Sequence, residues 1–143
     1  KALFSEMGNT VVAISPDSKA LYHAAAVMVS NQIVALADMG TALLVKCGFS
    51  EAAAAEALSP LLLGNAQSVA EKGAVNALTG PIERGDAKTV SKHLQEIRKF
   101  AAESTVGQDI LTAYTALSKQ LIRIAQQKHP HKDYKHLEKE LEQ

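Results

Sequence analysis

Apolar positions crowd the first half of this chain and settle into helical spacing in the second. The stretch over residues 21–47 is rich in Ala, Leu, Val and Met, interrupted by His23, Ser30, Asn31, Gln32, Asp38 and Lys46. With Asp17 or Ser18 as cap and Gly48 as stop, it predicts one helix over residues 17–47. Roughly thirty residues at ~1.5 Å each span about 45 Å. A helix apolar on nearly every side belongs under cover. Ser50 predicts the start of a helix over residues 51–58, Pro60 opens another to about Lys72, and Gly73 ends it. Residues 74–85, with two Gly and a Pro, read as an ordered loop. Asp86 then caps a helix through Ala102. After a weak break over residues 104–107, a last long helix covers residues 108–128, with Ile110, Leu111, Tyr114, Leu117, Leu121, Ile122 and Ala125 at helical spacing. His129-Pro130 stops it, and the charged sequence from Lys132 reads as a short helix or a frayed end.

The N-terminus is different. Residues 2–7 read as the end of a short helix, stopped by Gly8-Asn9. Thr10-Val11-Val12-Ala13-Ile14 is a β-branched run of strand length, closed by Ser15-Pro16. One strand cannot satisfy its own backbone, so its partners are expected outside this sequence. With a first residue that is Lys1 and not Met, the chain is expected to be a piece of a larger protein.

Composition narrows the picture. Hydrophobic residues make up 47% but aromatics only 4%, with no Trp, so close helix–helix packing is favoured over a β-sandwich core. Fifteen basic and fifteen acidic residues cancel, leaving no field to draw in a nucleic-acid backbone. The single Cys47 excludes an intramolecular disulfide and a cysteine zinc cluster, in keeping with the cytoplasm. No unbroken apolar run reaches the ~18–20 residues of a membrane helix, so no membrane role is expected.

Three clusters could carry chemistry. At ~100° per residue, His23, Ser30 and Thr41 fall within about 20° of one another, with Asn31 and Asp38 some 60–80° to one side. Buried and unpaired, such groups cost ~1–3 kcal/mol each, so the stripe faces either a neighbouring helix or a ligand cleft. In the loop Ala77-Leu78-Thr79-Gly80-Pro81-Ile82-Glu83-Arg84-Gly85-Asp86, Thr79 and Arg84 could meet a ligand. Alternatively the loop is a tight connection in which Arg84 pairs with Glu83 or Asp86. His129, His131 and His136, near a chain end and beside a proline, read as a solvated tail and not as a metal site. No glycine-rich phosphate loop or GxSxG serine elbow occurs.

The segment YHAAAVMVSN at residues 22–31, followed by ALTGPIERGD at 77–86, resembles a bacterial family that joins a Rossmann-like domain to a helical domain of unknown function 2520. The resemblance covers about residues 10–127. It extends more loosely to the C-terminal domains of pyrroline-5-carboxylate reductase, ketopantoate reductase and the 3-hydroxyacid dehydrogenases. The fold it implies is an all-α domain like the C-terminal domain of 6-phosphogluconate dehydrogenase, with one residual N-terminal β-strand. Residues 1–16 would end a nucleotide-binding domain, 17–128 form a helical dimerisation and substrate domain, and 129–143 a charged tail or short helix.

By resemblance, Asn31 is a candidate substrate-positioning residue and Thr79, Gly80 and Pro81 stand where a substrate-binding loop would; Ser30 of the polar stripe and Arg84 of the loop join them as substrate-binding candidates, and His23 is the candidate general acid. The hydroxyacid dehydrogenases place a catalytic Lys four residues before this Asn; here that position is Val27. The function implied is the substrate-cleft and dimerisation domain of an NAD(P)-dependent oxidoreductase, inactive without its nucleotide-binding half. NAD or NADP would be bound by the parent and not by this chain, and the chain would form a homodimer. The alternative is a non-catalytic helical dimerisation or interaction domain.

Overall fold

A computed structural model describes residues 11–142, and every regular element among them is helical. One 3₁₀ turn, Pro16–Ser18, leads into α1 (Lys19–Val29) and α2 (Asn31–Lys46). Next come α3 (Glu51–Ala77), α4 (Pro81–Arg84), α5 (Ala87–Glu103), α6 (Thr105–Lys128) and α7 (Lys135–Glu140). Two compact units, Lys1–Gly40 and Thr41–Gln143, meet within α2.

The all-α expectation holds, but the residual strand is not seen. Residues 11–14 carry no regular structure, while Thr10 and the helix expected at residues 2–7 lie outside the described residues. A strand exists only as one rail of a ladder, and β-branched composition supplies the rail without the partner.

In the first unit, Ser15 accepts the Asp17 N–H and Pro16 opens the 3₁₀ turn. The single helix expected over residues 17–47 is divided at Ser30, whose ψ is −74°. Its hydroxyl donates to the Ala26 carbonyl at 2.7 Å, which the Ser30 N–H also reaches at 3.1 Å. Back-bonding of this kind bends helices. The covered position expected for this helix is also corrected: no residue of α1 is buried, and Leu21 and Val29 are 75% and 72% exposed. Hydropathy signals that a face needs cover, but it does not say which chain supplies it. Averaged over its most apolar window instead of counted as an unbroken run, Pro16–Lys46 has a mean hydropathy of 1.4. By length and composition it could cross a membrane, a test that core helices also pass.

In the second unit, Ser50 caps α3 by accepting the Ala53 N–H. The restart expected at Pro60 does not occur, because α3 runs on through it. Proline removes one hydrogen bond, to the Glu56 carbonyl four residues back, and on this exposed stretch water can take its place. Gly73 does break the helix, with φ 73° and ψ 163°, but residues 74–77 turn helical again inside the expected loop.

The helix pair α5–α6 organises the rest. Asp86 caps α5 as expected, accepting the Thr89 N–H at 3.0 Å and the Thr89 hydroxyl at 2.6 Å. Val90, Leu94, Ile97 and Ala101 form its buried face. The break expected over residues 104–107 contracts to Ser104, which caps both helices. Its N–H donates to the Phe100 carbonyl, and its Oγ accepts the Gly107 N–H at 3.0 Å. A β-carbon on Gly107 would collide with the Phe100 carbonyl, so only glycine lets the chain turn here. His93 and Tyr114, at similar chain distances either side of Ser104, lie 3.0 Å apart, so the two helices run antiparallel.

The tail is not a solvated appendage. Tyr134, Leu137 and Leu141 are buried with Ile82, Val90, Leu94, Ile122 and Ala125 in one core. Spaced i, i+3 and i+7, they form one apolar stripe on a segment whose other residues are mostly charged. Leu137→Ala is therefore expected to cost about 2–5 kcal/mol, and Gly107→Ala about 1–3 kcal/mol. Urea denaturation followed by helical circular dichroism measures both. A frayed tail would leave Leu137→Ala within about 0.5 kcal/mol of the parent.

Candidate functional site

The residues singled out by sequence fall into two groups, one in each unit. His23, Ser30 and Asn31 belong to the first, and Thr79, Gly80, Pro81 and Arg84 to the second. Ser30 and Asn31 come together at the kink, where the serine hydroxyl reaches Asn31 Oδ1 at 3.0 Å as well as the Ala26 carbonyl. His23 is exposed on α1. In the loop, Gly80 has φ 97°, a left-handed conformation suited to glycine, and Pro81 opens α4. Thr79 and Arg84 are exposed; Arg84 forms no close ion pair with Glu83 or Asp86 among the described residues, although its charge, after the hydrogen bonds from Thr89, helps hold the Asp86 carboxyl below its ordinary range.

Glu83, which sequence treated only as a partner for Arg84, is what fixes this loop. Its carboxylate meets His129 Nε2 at 2.5 Å and lies 3.7 Å from the Lys128 ammonium. Its backbone carbonyl accepts from the Tyr134 hydroxyl at 2.9 Å and from Lys132 at 3.3 Å. Lys128 also donates to the Leu78 carbonyl at 2.8 Å, closing the other end of the loop. The His129 hydrogen bond, aided by the charges of Lys128, His129 and Lys132, holds the Glu83 carboxyl below its ordinary range against some opposing desolvation. Burial pushes the Tyr134 phenol up, and the Glu83 charge adds to it. His129 is thus part of a structural clasp. Among the described residues no group of three or more His, Cys, Asp or Glu could hold a metal ion.

A second feature had no sequence signal pointing to it. A cavity of about 690 Å³ opens in the second unit, against α5, the C-terminal end of α2 and Tyr114 of α6. Leu43, Ile97 and Phe100 give it an apolar lining. At its edge Lys46 pairs with Glu103 at 2.5 Å and lies over the Phe100 ring at 5.0 Å, while Lys99 pairs with Glu96 at 2.6 Å. His93 Nδ1 meets the Tyr114 hydroxyl at 3.0 Å, and their rings stand edge to face. Burial raises the Tyr114 pKa, and its hydrogen bond with Ser118 works the other way. Sequence marked Tyr114 only as an apolar helix position and passed over His93. Their partnership depends on the register of two helices across the Ser104 turn. An i, i+3 or i+4 pattern within either helix contains no trace of it.

Glu83 sets a pH dependence. Because its folded pKa is depressed, it stabilises the fold fully above its ordinary value near 4.5, and that contribution is lost as pH falls through the lower folded value. Glu83→Gln is expected to be less stable than the parent at neutral pH. The gap should close in acid, as thermal melts between neutral pH and pH about 3 would show. A gap of constant size across that range would mean that the carboxylate charge is not what holds the loop.

The sequence model of a family described as Domain of unknown function (DUF2520) matches residues 1–121. The match stops short of the clasp residues from Lys128 to Tyr134. No curated protein and no solved structure matches the chain.

Proposed function

Since the chain belongs to the DUF2520 family, we propose that it is the helical dimerisation and substrate-wall domain of a two-part NAD(P)-dependent oxidoreductase, of the type that closes 6-phosphogluconate dehydrogenase at its C-terminus. The observation that carries this reading is the state of its helix surfaces. Leu21, Met28 and Val29 on α1, Val34 on α2, and Leu61 and Leu63 on α3 are large, apolar and exposed. Surfaces of this kind mark places where another protein surface packs. A second copy of the chain meets that need by closed pairing, in which each apolar patch serves both partners.

The substrate-wall part has separate support. His23, Thr79 and Arg84 stay exposed instead of being taken up in helix–helix hydrogen bonds. Polar residues used only to join helices would be paired and covered. His23 is the proton donor in this reading, because Val27 stands where a catalytic lysine would be expected. Ser30 and Asn31 would orient substrate, with Gly80 and Pro81 shaping the loop that presents Thr79 and Arg84. The nicotinamide cofactor, NAD or NADP, would sit in a Rossmann-like partner domain.

Two measurements test this. The 15.2-kDa chain is expected to sediment as a dimer at micromolar concentration, and Leu21→Glu combined with Leu63→Glu should give monomers of unchanged helicity. A monomeric parent chain would overturn the dimerisation part. In the protein that carries the nucleotide-binding domain, His23→Ala should slow nicotinamide oxidation by roughly 10²–10⁴. Equal rates for the variant and the parent would remove His23 from the chemistry.

A further inference from the structure

The cavity beside α5 plays no part in the proposed substrate wall, and its chemistry is specific enough to name a ligand class. Its volume of about 690 Å³ is in the range of small-molecule sites. Leu43, Ile97 and Phe100 make the wall apolar, so the body of any occupant must be apolar as well. The charged groups at the edge are not equivalent. Lys46 is held by Glu103, and Lys99 by Glu96. That leaves the ammonium of Lys92 without an anionic partner among the described residues lining the cavity. Next to it in sequence, His93 uses Nδ1 toward the Tyr114 hydroxyl. If the phenol donates to Nδ1, Nε2 carries the ring proton and is left as a donor. With that tautomer, an apolar wall is combined with one exposed ammonium that no lining carboxylate pairs and one N–H donor.

From this we infer that the cavity binds an apolar monocarboxylate, an alkyl or aryl acid whose chain lies along Ile97 and Phe100 and whose carboxylate is received by Lys92 and His93. A carboxylate supplies the negative charge that Lys92 lacks and accepts two hydrogen bonds at once. A cationic head would be repelled by Lys92, and a neutral alcohol would leave the ammonium uncompensated. Binding here is separate from the dimerisation and substrate-wall roles and does not depend on them.

Cys47 is exposed and on the cavity lining, so it reports occupancy. The test follows alkylation of the full chain by N-ethylmaleimide at increasing decanoate. Decanoate is expected to slow alkylation saturably, while decanol and decyltrimethylammonium protect at least about tenfold more weakly. Lys92→Gln and His93→Ala should each raise the half-protecting concentration roughly tenfold, the loss of one charge-assisted hydrogen bond, and Lys92→Gln should leave the thermal melt unchanged. Lys119→Gln, at a different cavity, should leave it unchanged. Should His93→Ala fail to fold, His93→Gln, which keeps a side-chain donor, is expected to bind within a few-fold of the parent. Protection by decanol equal to that by decanoate would overturn the inference, as would full protection of Lys92→Gln. So would a Cys47 that does not react at all because a second copy of the chain covers the cavity.

Discussion

The turn at Ser104 is the constraint on which most of the second unit depends. A single residue ends α5 and begins α6, donating its N–H backward to Phe100 and accepting the Gly107 N–H forward. With no slack in the connection, the register between the helices is set by the turn itself. That register aligns Val90 and Leu94 with Ile122 and Ala125 in the core, and it brings His93 to Tyr114 at the cavity. Gly107 makes the turn possible because the Phe100 carbonyl occupies the space a side chain would need.

The second unit is closed by charge as well as by apolar contact. Tyr134, Leu137 and Leu141 supply the packing. Glu83 with His129, and Lys128 with the Leu78 carbonyl, bind the segment before α5 to the C-terminal end of α6 and the residue after it. The loop that sequence marked as a possible ligand contact is thus rigid at its base, while Thr79 and Arg84 remain exposed. In the proposed function this loop presents Thr79 and Arg84 to substrate, and groups positioned by such a clasp lose little freedom on binding. The acid sensitivity of Glu83 and the exposure of Arg84 follow from the same placement.

The two units differ in how they meet the hydrophobic effect. In the second, α5 and α6 are amphipathic and bury their apolar faces on each other and on the C-terminal segment. In the first, α1 has no buried residue; α3 is the exception within the second, with only Ala54 and Ala77 buried. The proposed dimer rests on these exposed apolar helix faces.

The sequence by itself determined the local structure wherever one residue type satisfies one backbone need: the caps at Ser50 and Asp86, the break at Gly73, and the helical faces of α5 and α6. These rest on interactions within four residues, which a linear pattern contains in full. It misjudged residues 11–14, Pro60 and the chain after His129, where the outcome depended on what lay alongside. A strand needs a partner, a proline is tolerated where water can reach the freed carbonyl, and a charged tail docks if its few apolar residues share a face. The tertiary structure alone decided that Glu83 would meet His129, and that His93 and Tyr114 would share a cavity with Lys92. Residues 46 positions apart, or 21 positions apart across a turn, interact only once the register between helices is set. Side-chain packing in three dimensions sets that register, and no pattern along one helix records it.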